Sequence, residues 1–207
     1  MSEKPPIIYV VDDDPAVRDA VAFLVASLGY AYETCTSAPE FLARLDDERP
    51  GCVVLDVRLP GMSGLELQGE LIRRGSPVGI IFVSGHGDIP KAVRAVRLGA
   101  FDFLEKPFDD QLLLDRIGEA LKASARAIDE RRRKSDLDRR LGRLTERERE
   151  VLALVVAGKT SKAIALDLDI SVKTVENHRH NLMTKAGAGS IAQLIAWAAE
   201  PDGGGNG

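Results

Sequence analysis

The sequence predicts an α/β doubly wound five-stranded parallel sheet, followed by a small all-α domain of four helices that contains a helix-turn-helix. Over the first 108 residues, short β-branched or apolar runs alternate with segments of helical period, the pattern of a parallel sheet covered on both faces. From Asp109 onward only helical periodicity is left. The charge changes at the same place: residues 1–121 hold 12 Lys and Arg against 20 Asp and Glu, residues 122–144 hold 9 against 4, and residues 145–207 hold 7 against 8. The expected organisation is an acidic domain over 1–121, a charged helical linker over 122–144, a near-neutral helix-turn-helix domain over 145–200 and a disordered tail over 201–207.

The five strands are expected at IIYVV 7–11, AYETC 31–35, CVVL 52–55, GIIFV 79–83 and FDFL 101–104. Asp14-Pro15 supplies a cap and a first-turn proline for the first helix, and Gly29 closes it. Ser37-Ala38-Pro39-Glu40 has the signature of a capping box with proline at the first helical position. A helix runs from Asp109 through Ala127, and Leu113, Ile117, Leu121, Ile128, Leu137, Leu141 and Leu144 continue its apolar pattern intermittently. Two readings stay open for that stretch: a linker helix that pairs with its twin, or a solvated and partly frayed connector. Thr145 to Glu148 is a second capping box, and helices follow at 146–157, 161–168, 172–185 and 190–199. Gly158, Asp169-Ile170-Ser171 and Gly187 to Gly189 separate them.

Composition narrows the classes. At 44% hydrophobic and 29% charged, 207 residues suit one or two globular domains and not disorder throughout. MSEKPP lacks the basic and apolar regions of a secretory signal, and no apolar stretch approaches the roughly 20 residues that span a bilayer. A cytoplasmic protein without a membrane partner is expected. Cys35 and Cys52 lie in short apolar runs with no histidine at ligand spacing, which predicts two buried thiols and no disulfide or zinc site.

In a doubly wound sheet, functional groups gather at the carboxyl ends of the strands. Here the first strand ends in Asp12-Asp13-Asp14, the third at Asp56, the fourth in Ser84-Gly85-His86-Gly87 and the fifth in Glu105-Lys106-Pro107. Clustered carboxylates need a cation between them, and oxygen ligands with room for water and phosphate oxygens suit Mg2+. Asp12 and Asp13 are candidate ligands, and Asp56 is both a ligand and a carboxylate nucleophile toward phosphorus. Lys106 and Ser84 would then stabilise phosphoryl oxygens.

The segments VVDDDP, VVLDVRLPGMSG, FVSGHGD and FLEKPF resemble the receiver domain of FixJ-type two-component response regulators, over residue 7 to about residue 121. The resemblance implies that Asp56 accepts a phosphoryl group from a phosphohistidine on a sensor histidine kinase. It also implies that Arg58 offers a backbone carbonyl to Mg2+ and that the Lys106-Pro107 peptide is cis. The family's switch would move Ser84 onto the phosphoryl group and turn Phe103 inward behind it. Phe101, on the same strand face as Phe103, is assigned to the core. Serine at 84, where threonine is common, keeps the hydroxyl and loses a methyl that restricts the rotamer. Arg58 and His86, two positions after Asp56 and Ser84, are candidates for setting the lifetime of the aspartyl phosphate.

Residues 145–199 resemble the LuxR-type output domain of the NarL/FixJ family through LTERERE-VL, GKTSKAIALDLDIS and VKTVENHRHNLMTKAG. Ala163, Ile164, Ala165, Leu168, Ile170, Val175, Leu182 and Met183 would form the core that fixes two helices at a tight turn. Matching of family positions implies that Glu176, Asn177 and His180 face base edges, and that Lys162, Lys173, Thr174, Arg179 and Lys185 face phosphates. His178 and His180 are two residues apart on a helix, which argues against a shared metal, and His178 is expected to be half-buried. A domain of net charge −1 lacks the usual basic surplus of a nucleic-acid binder. A phosphorylation-driven homodimer would compensate by effective concentration.

The expected function is a phosphorylation-dependent transcriptional regulator rather than an enzyme. Its partners would be the kinase, double-stranded DNA, a second copy and the transcription machinery. A phosphatase or phosphotransferase would need a pocket for its leaving group, and a protein-interaction role for the second domain is compatible with its weak charge.

Overall fold

The computed structural model describes residues 4–85 and 89–199. The expectation at His86 and the tail over 201–207 fall outside them. The chain divides into two compact units, Met1–Arg131 and Arg132–Gly207.

Unit 1 is a five-stranded, all-parallel sheet: β1 (Ile7–Val11), β2 (Ala31–Cys35), β3 (Gly51–Asp56), β4 (Gly79–Ser84) and β5 (Asp102–Glu105), ordered β2-β1-β3-β4-β5. The alternation of a strand sorts its side chains onto two cores. Ile7, Tyr9, Val11, Val53, Leu55, Ile80 and Phe82 point to one, while Ile8, Val10, Cys52, Val54, Ile81 and Val83 point to the other. Both cysteines are free and buried, Cys35 in the first layer and Cys52 in the second.

Helices cover both faces. In α1 (Pro15–Ser27) the Asp14 carboxylate accepts from Ala16 N, and Gly29 takes the left-handed conformation just past the end. In α2 (Ala38–Arg44) Ser37 is the N-cap without a side-chain cap bond. The expected capping box is absent because the Glu40 carboxylate is engaged one residue further out, accepting from the Thr36 backbone N and hydroxyl. A box does form at α3 (Gly64–Arg74) between Ser63 and Glu66, a signature the sequence reading passed over. After α4 (Ile89–Arg97), α5 (Asp110–Gly142) lays Leu113, Ile117, Ala120 and Leu121 on the sheet. It is helical for 33 residues, well beyond Ala127, and residues 129–135 are exposed.

The assignment of Phe101 to the core is corrected. Phe101 immediately precedes β5, the edge strand of the sheet, and is 36% exposed even though its backbone N donates to Ile80 O at 2.7 Å, while Phe103 packs half-buried against Phe82.

Unit 2 holds α6 (Glu146–Val156), α7 (Ser161–Asp167), α8 (Val172–Ala186) and α9 (Ile191–Ala199). Side chains of Thr145, Thr160 and Ser171 accept from the backbone N of Glu148, Ala163 and Thr174, so each of the first three helices has a hydroxyl N-cap. Gly187 ends α8 in the left-handed conformation. Ile164, Ala165, Val175 and Leu182 are buried in its core with Leu144, Val151, Val155, Ala186 and Leu194, and Leu168, Ile170 and Met183 pack against them.

Candidate functional site

The parallel sheet delivers its carboxyl ends to one rim. Asp12 follows the last residue of β1, Asp56 ends β3, Ser84 ends β4, and Lys106 follows β5. Strand register brings neighbours level: Val11 pairs with Leu55, Asp56 with Val83, and Ser84 with Glu105. The Lys106 ammonium sits between two carboxylates, donating to Asp12 Oδ2 at 2.6 Å and to Asp56 Oδ1 at 2.8 Å. The free edges of both carboxylates are held by the main chain. Asp12 Oδ1 accepts from Asp14 N at 2.9 Å, and Asp56 Oδ2 accepts from Arg58 N. Burial alone would push the Lys106 ammonium to lower pKa, but the bonds to Asp12 and Asp56 outweigh it and the net shift is upward.

Asp12 and Asp56 are buried, at 2% and 7% exposure, and Ser84 is buried beside them at 6%. Asp13 is exposed at the rim. The Lys106-Pro107 peptide is cis, in agreement with what the resemblance implied. Two neighbours were not foreseen. Arg18, one turn into α1, donates from Nη1 to the Asp12 carbonyl at 2.8 Å. Gly64 opens α3 directly under Asp56: an added Cβ would overlap the Asp56 carbonyl oxygen and come within 3.1 Å of the Phe82 ring. The signal for Gly64 was in the sequence, as the residue following the cap Ser63.

The donor set fits a hard divalent ion. Two buried carboxylates share a single ammonium, Asp13 adds a further negative charge, and all the donors are oxygens. Among the described residues no three His, Cys, Asp or Glu side chains converge as a complete metal cage. Mg2+ does not require one, since it takes one or two carboxylates and keeps several waters.

In unit 2, the first turns of α8 expose Lys173, Glu176, Asn177 and His180, with Thr174 and Arg179 half-buried. The Thr174 hydroxyl lies 2.8 Å from that of Ser171, and Arg179 Nη1 donates to Ser161 Oγ at 3.4 Å. Lys162 is exposed on α7, and His178 is half-buried as expected. Lys185 stands apart from the rest. Its ammonium donates to Glu148 Oε2 at 2.7 Å, so it is committed to a buried carboxylate inside the domain. Glu148 was not singled out from sequence beyond its cap, because its buried position depends on how α6 packs on α8.

A doubly wound sheet of this strand order, with acidic strand ends facing a lysine that precedes a cis proline, is the architecture of a receiver domain. The helical unit is that of a helix-turn-helix output domain. Known proteins divide the same way: residues 8–118 match the response regulator receiver domain, and residues 142–198 match the bacterial regulatory proteins of the luxR family. The chain therefore belongs to the two-component response regulators, with a receiver and a LuxR-type DNA-binding domain, and is a transcription regulator. It is 46% identical to the transcriptional regulatory protein FixJ of Azorhizobium caulinodans over 92% of this chain and 90% of that protein. It is 45% identical to the response regulator protein TodT of Pseudomonas putida over 94% and 86%. Among solved structures, the response regulator StyR superposes with a TM-score of 0.84 at 41% identity, covering 96% of this chain and all of that one. Full-length FixJ from B. japonicum gives 0.57 at 41% identity, covering 95% and 97%. No helix among the described residues is long and apolar enough to cross a membrane.

Proposed function

We propose that Asp56 takes up a phosphoryl group from a phosphohistidine on a sensor histidine kinase, and that the aspartyl phosphate promotes dimerisation and sequence-specific DNA binding. The observation that carries this reading is the Lys106 ammonium held between Asp12 and Asp56 on the strand-end rim. An Asp56 carboxylate oxygen would form the new bond to phosphorus as the phosphorus–nitrogen bond of the donor breaks, the electron pair and a proton going to the imidazole. Lys106, already in contact with Asp56, and the Ser84 hydroxyl would bind the phosphoryl oxygens. Asp12, Asp13, Asp56 and the Arg58 carbonyl would hold Mg2+, which when bound neutralises charge on the transferring group. Phe103, half-buried against Phe82, would be the aromatic that follows Ser84 when the switch operates. Arg58 and His86 would set how long the aspartyl phosphate survives.

On α8, Glu176, Asn177 and His180 would meet base edges, with Lys162, Lys173, Thr174 and Arg179 on phosphates. The domains assigned to these roles are a receiver over 1–121, a linker over 122–144 and an output domain over 145–200, in a cytoplasmic protein. The protein would act as a switch rather than turn over an external substrate. The test is selection from a random duplex pool with Mg2+, using beryllofluoride-treated protein, untreated protein and Asp56→Ala. Enrichment of a two-half-site sequence only in the treated wild type is expected. Equal enrichment by Asp56→Ala would sink the phosphorylation gate, and no enrichment in any state would sink the DNA-binding assignment.

A further inference from the structure

The output unit is near neutral where a duplex would be met, and its surplus charge lies elsewhere. Over residues 132–199 there are 13 Lys and Arg against 8 Asp and Glu, and residues 132–143, the tail of α5, hold 6 of the cations and 2 of the anions. The helix-turn-helix is left with 7 against 6. Three of those seven cations are engaged with acidic side chains: Lys185 with Glu148 at 2.7 Å, Lys159 with Asp167 at 2.6 Å, and Arg147 with Glu150 at 2.5 Å.

The tail is part of the output unit's own packing. Leu141 and Leu144 join its core, and Arg140 Nη1 donates to Ala186 O, at the end of α8, at 3.5 Å. The Arg140 guanidinium also covers Gly187, where a Cβ would come within 2.7 Å of it. At about 100° per residue, Arg132, Arg139 and Arg143 fall within about 40° of one another, on the face opposite Leu141. All three are exposed, and they span about 16 Å along the helix, the axial rise of about five nucleotides of one DNA strand. Arg149, exposed on α6, lies against the end of this tail, donating to the Gly142 carbonyl at 3.3 Å. Asp136 interrupts the row, pairing with Arg139 at 3.4 Å and Arg140 at 2.5 Å. Exposed pairs of this kind contribute little and exchange readily for phosphate oxygens.

We infer that the arginine row on the tail of α5 is a second DNA-contacting surface. It would bind the phosphate backbone beside the recognition helix and supply much of the affinity without reading sequence. The inference rests on the output unit binding duplex DNA. A solvated helix face needs no such alignment, and an acidic protein or an anionic membrane would be alternative partners for it.

The experiment measures salt dependence of binding by the full chain, treated with beryllofluoride and Mg2+, to its selected duplex and to a random one. Each phosphate contact contributes about 0.9 to the slope of log K against log salt, so R139Q/R143Q should lower the slope by about 1 to 2. Binding to both duplexes should weaken by the same factor, about tenfold at moderate salt, leaving their ratio unchanged. The charge-keeping double variant R139K/R143K should retain the wild-type slope. D136N, which releases Arg139 and Arg140, should steepen it. Gln and Lys are good helix formers, and circular dichroism checks that α5 is intact. Wild-type slopes in both R139Q/R143Q and D136N overturn the inference, as does an effect of these variants on anionic vesicles alone. If wild-type protein binds no duplex, it is the DNA-binding function that fails, a result separate from either of those.

Discussion

Each unit buries a carboxylate against a lysine, and the two arrangements are opposite in kind. In the receiver, one ammonium is shared between Asp12 and Asp56, with Asp13 exposed beside them, so negative charge is in excess. In the output unit, Glu148 has Lys185 to itself and also accepts from Thr145 N at 2.7 Å, so the charges match. Burying charge is costly unless it is compensated. A carboxylate cluster left short of positive charge is therefore a place where a cation or a reaction is accommodated, while a matched pair is a fastening, here of α6 to α8. The same residue types serve both purposes, and the balance of charge distinguishes them.

The comparison breaks most visibly when the lysines are removed. Lys106→Met leaves two buried carboxylates facing each other and should destabilise the receiver by about 3 kcal/mol. Lys185→Met leaves one buried carboxylate instead of two facing each other, and Glu148 keeps its donor at Thr145 N while losing a partner that is itself 37% exposed, for a smaller cost of about 1 kcal/mol. Added Mg2+ should restore much of the loss in Lys106→Met and none in Lys185→Met, because a ligand at 100 times its Kd adds about 2.7 kcal/mol only where it binds. The units can be followed separately in one thermal scan. The only tryptophan, Trp197, packs against the output core, and the three tyrosines, Tyr9, Tyr30 and Tyr32, belong to the receiver. Equal response of both variants to Mg2+ would erase the distinction between a deficient and a matched cluster.

A smaller effect sharpens the receiver's side. Gly64→Ala drives a methyl into the Asp56 carbonyl and the Phe82 ring, and overpacking of this kind costs about 1–3 kcal/mol. Because the strain falls on the backbone of Asp56 itself, uptake of phosphoryl from a small donor should slow along with the loss of stability. Gly69→Ala, at a helical glycine with open space around its Cβ position, is the control. Unchanged phosphorylation in a measurably destabilised Gly64→Ala would separate packing at Gly64 from the chemistry of Asp56.

What was legible in the sequence follows the range of the interactions. The strands and caps are local features, so IIYVV, AYETC, Asp14-Pro15 and Thr145 to Glu148 could be read from neighbours in the chain. Asp12, Asp56, Ser84 and Lys106 could be placed together because parallel strands put all their carboxyl ends on one edge. The failures came where a side chain had more than one partner within reach. Glu40 went to Thr36 instead of Ser37, and Phe101, at the start of the edge strand, stays exposed although its backbone is bonded to β4. Lys185, expected to face a phosphate, is a separate matter: it also has a buried carboxylate from another helix 2.7 Å away, a contact that only packing reveals. The α5 tail is a different case: the 33-residue helix runs on to Gly142 although its apolar spacing lapses, with the Asp136–Arg140 pair one turn apart along it.

The smallest expected effect tests how each cluster responds to pH. Burial pushes the Glu148 carboxyl up, but Lys185 and the Thr145 donors outweigh it and hold the group below its ordinary range. A carboxylate lowered on folding contributes stability above its unfolded value, about 4.3, and that contribution fades as pH falls through the lower folded value. Lys106 is raised, so its contribution is complete below its unfolded value, about 10.4, and fades only as pH rises through the folded one. The two clusters should therefore weaken at opposite ends of the pH scale. Glu148→Gln should cost the output unit about 1 kcal/mol near neutral pH, where the cap and the ion pair are both intact. Between pH 5 and pH 3 the Trp197 transition should fall less steeply in Glu148→Gln than in the wild type, since the variant has no lowered carboxyl at this site to protonate. Parallel descent of the two curves would mean that Glu148 gains nothing from its ionised form, and the matched pair would then be a packing contact with no electrostatic role.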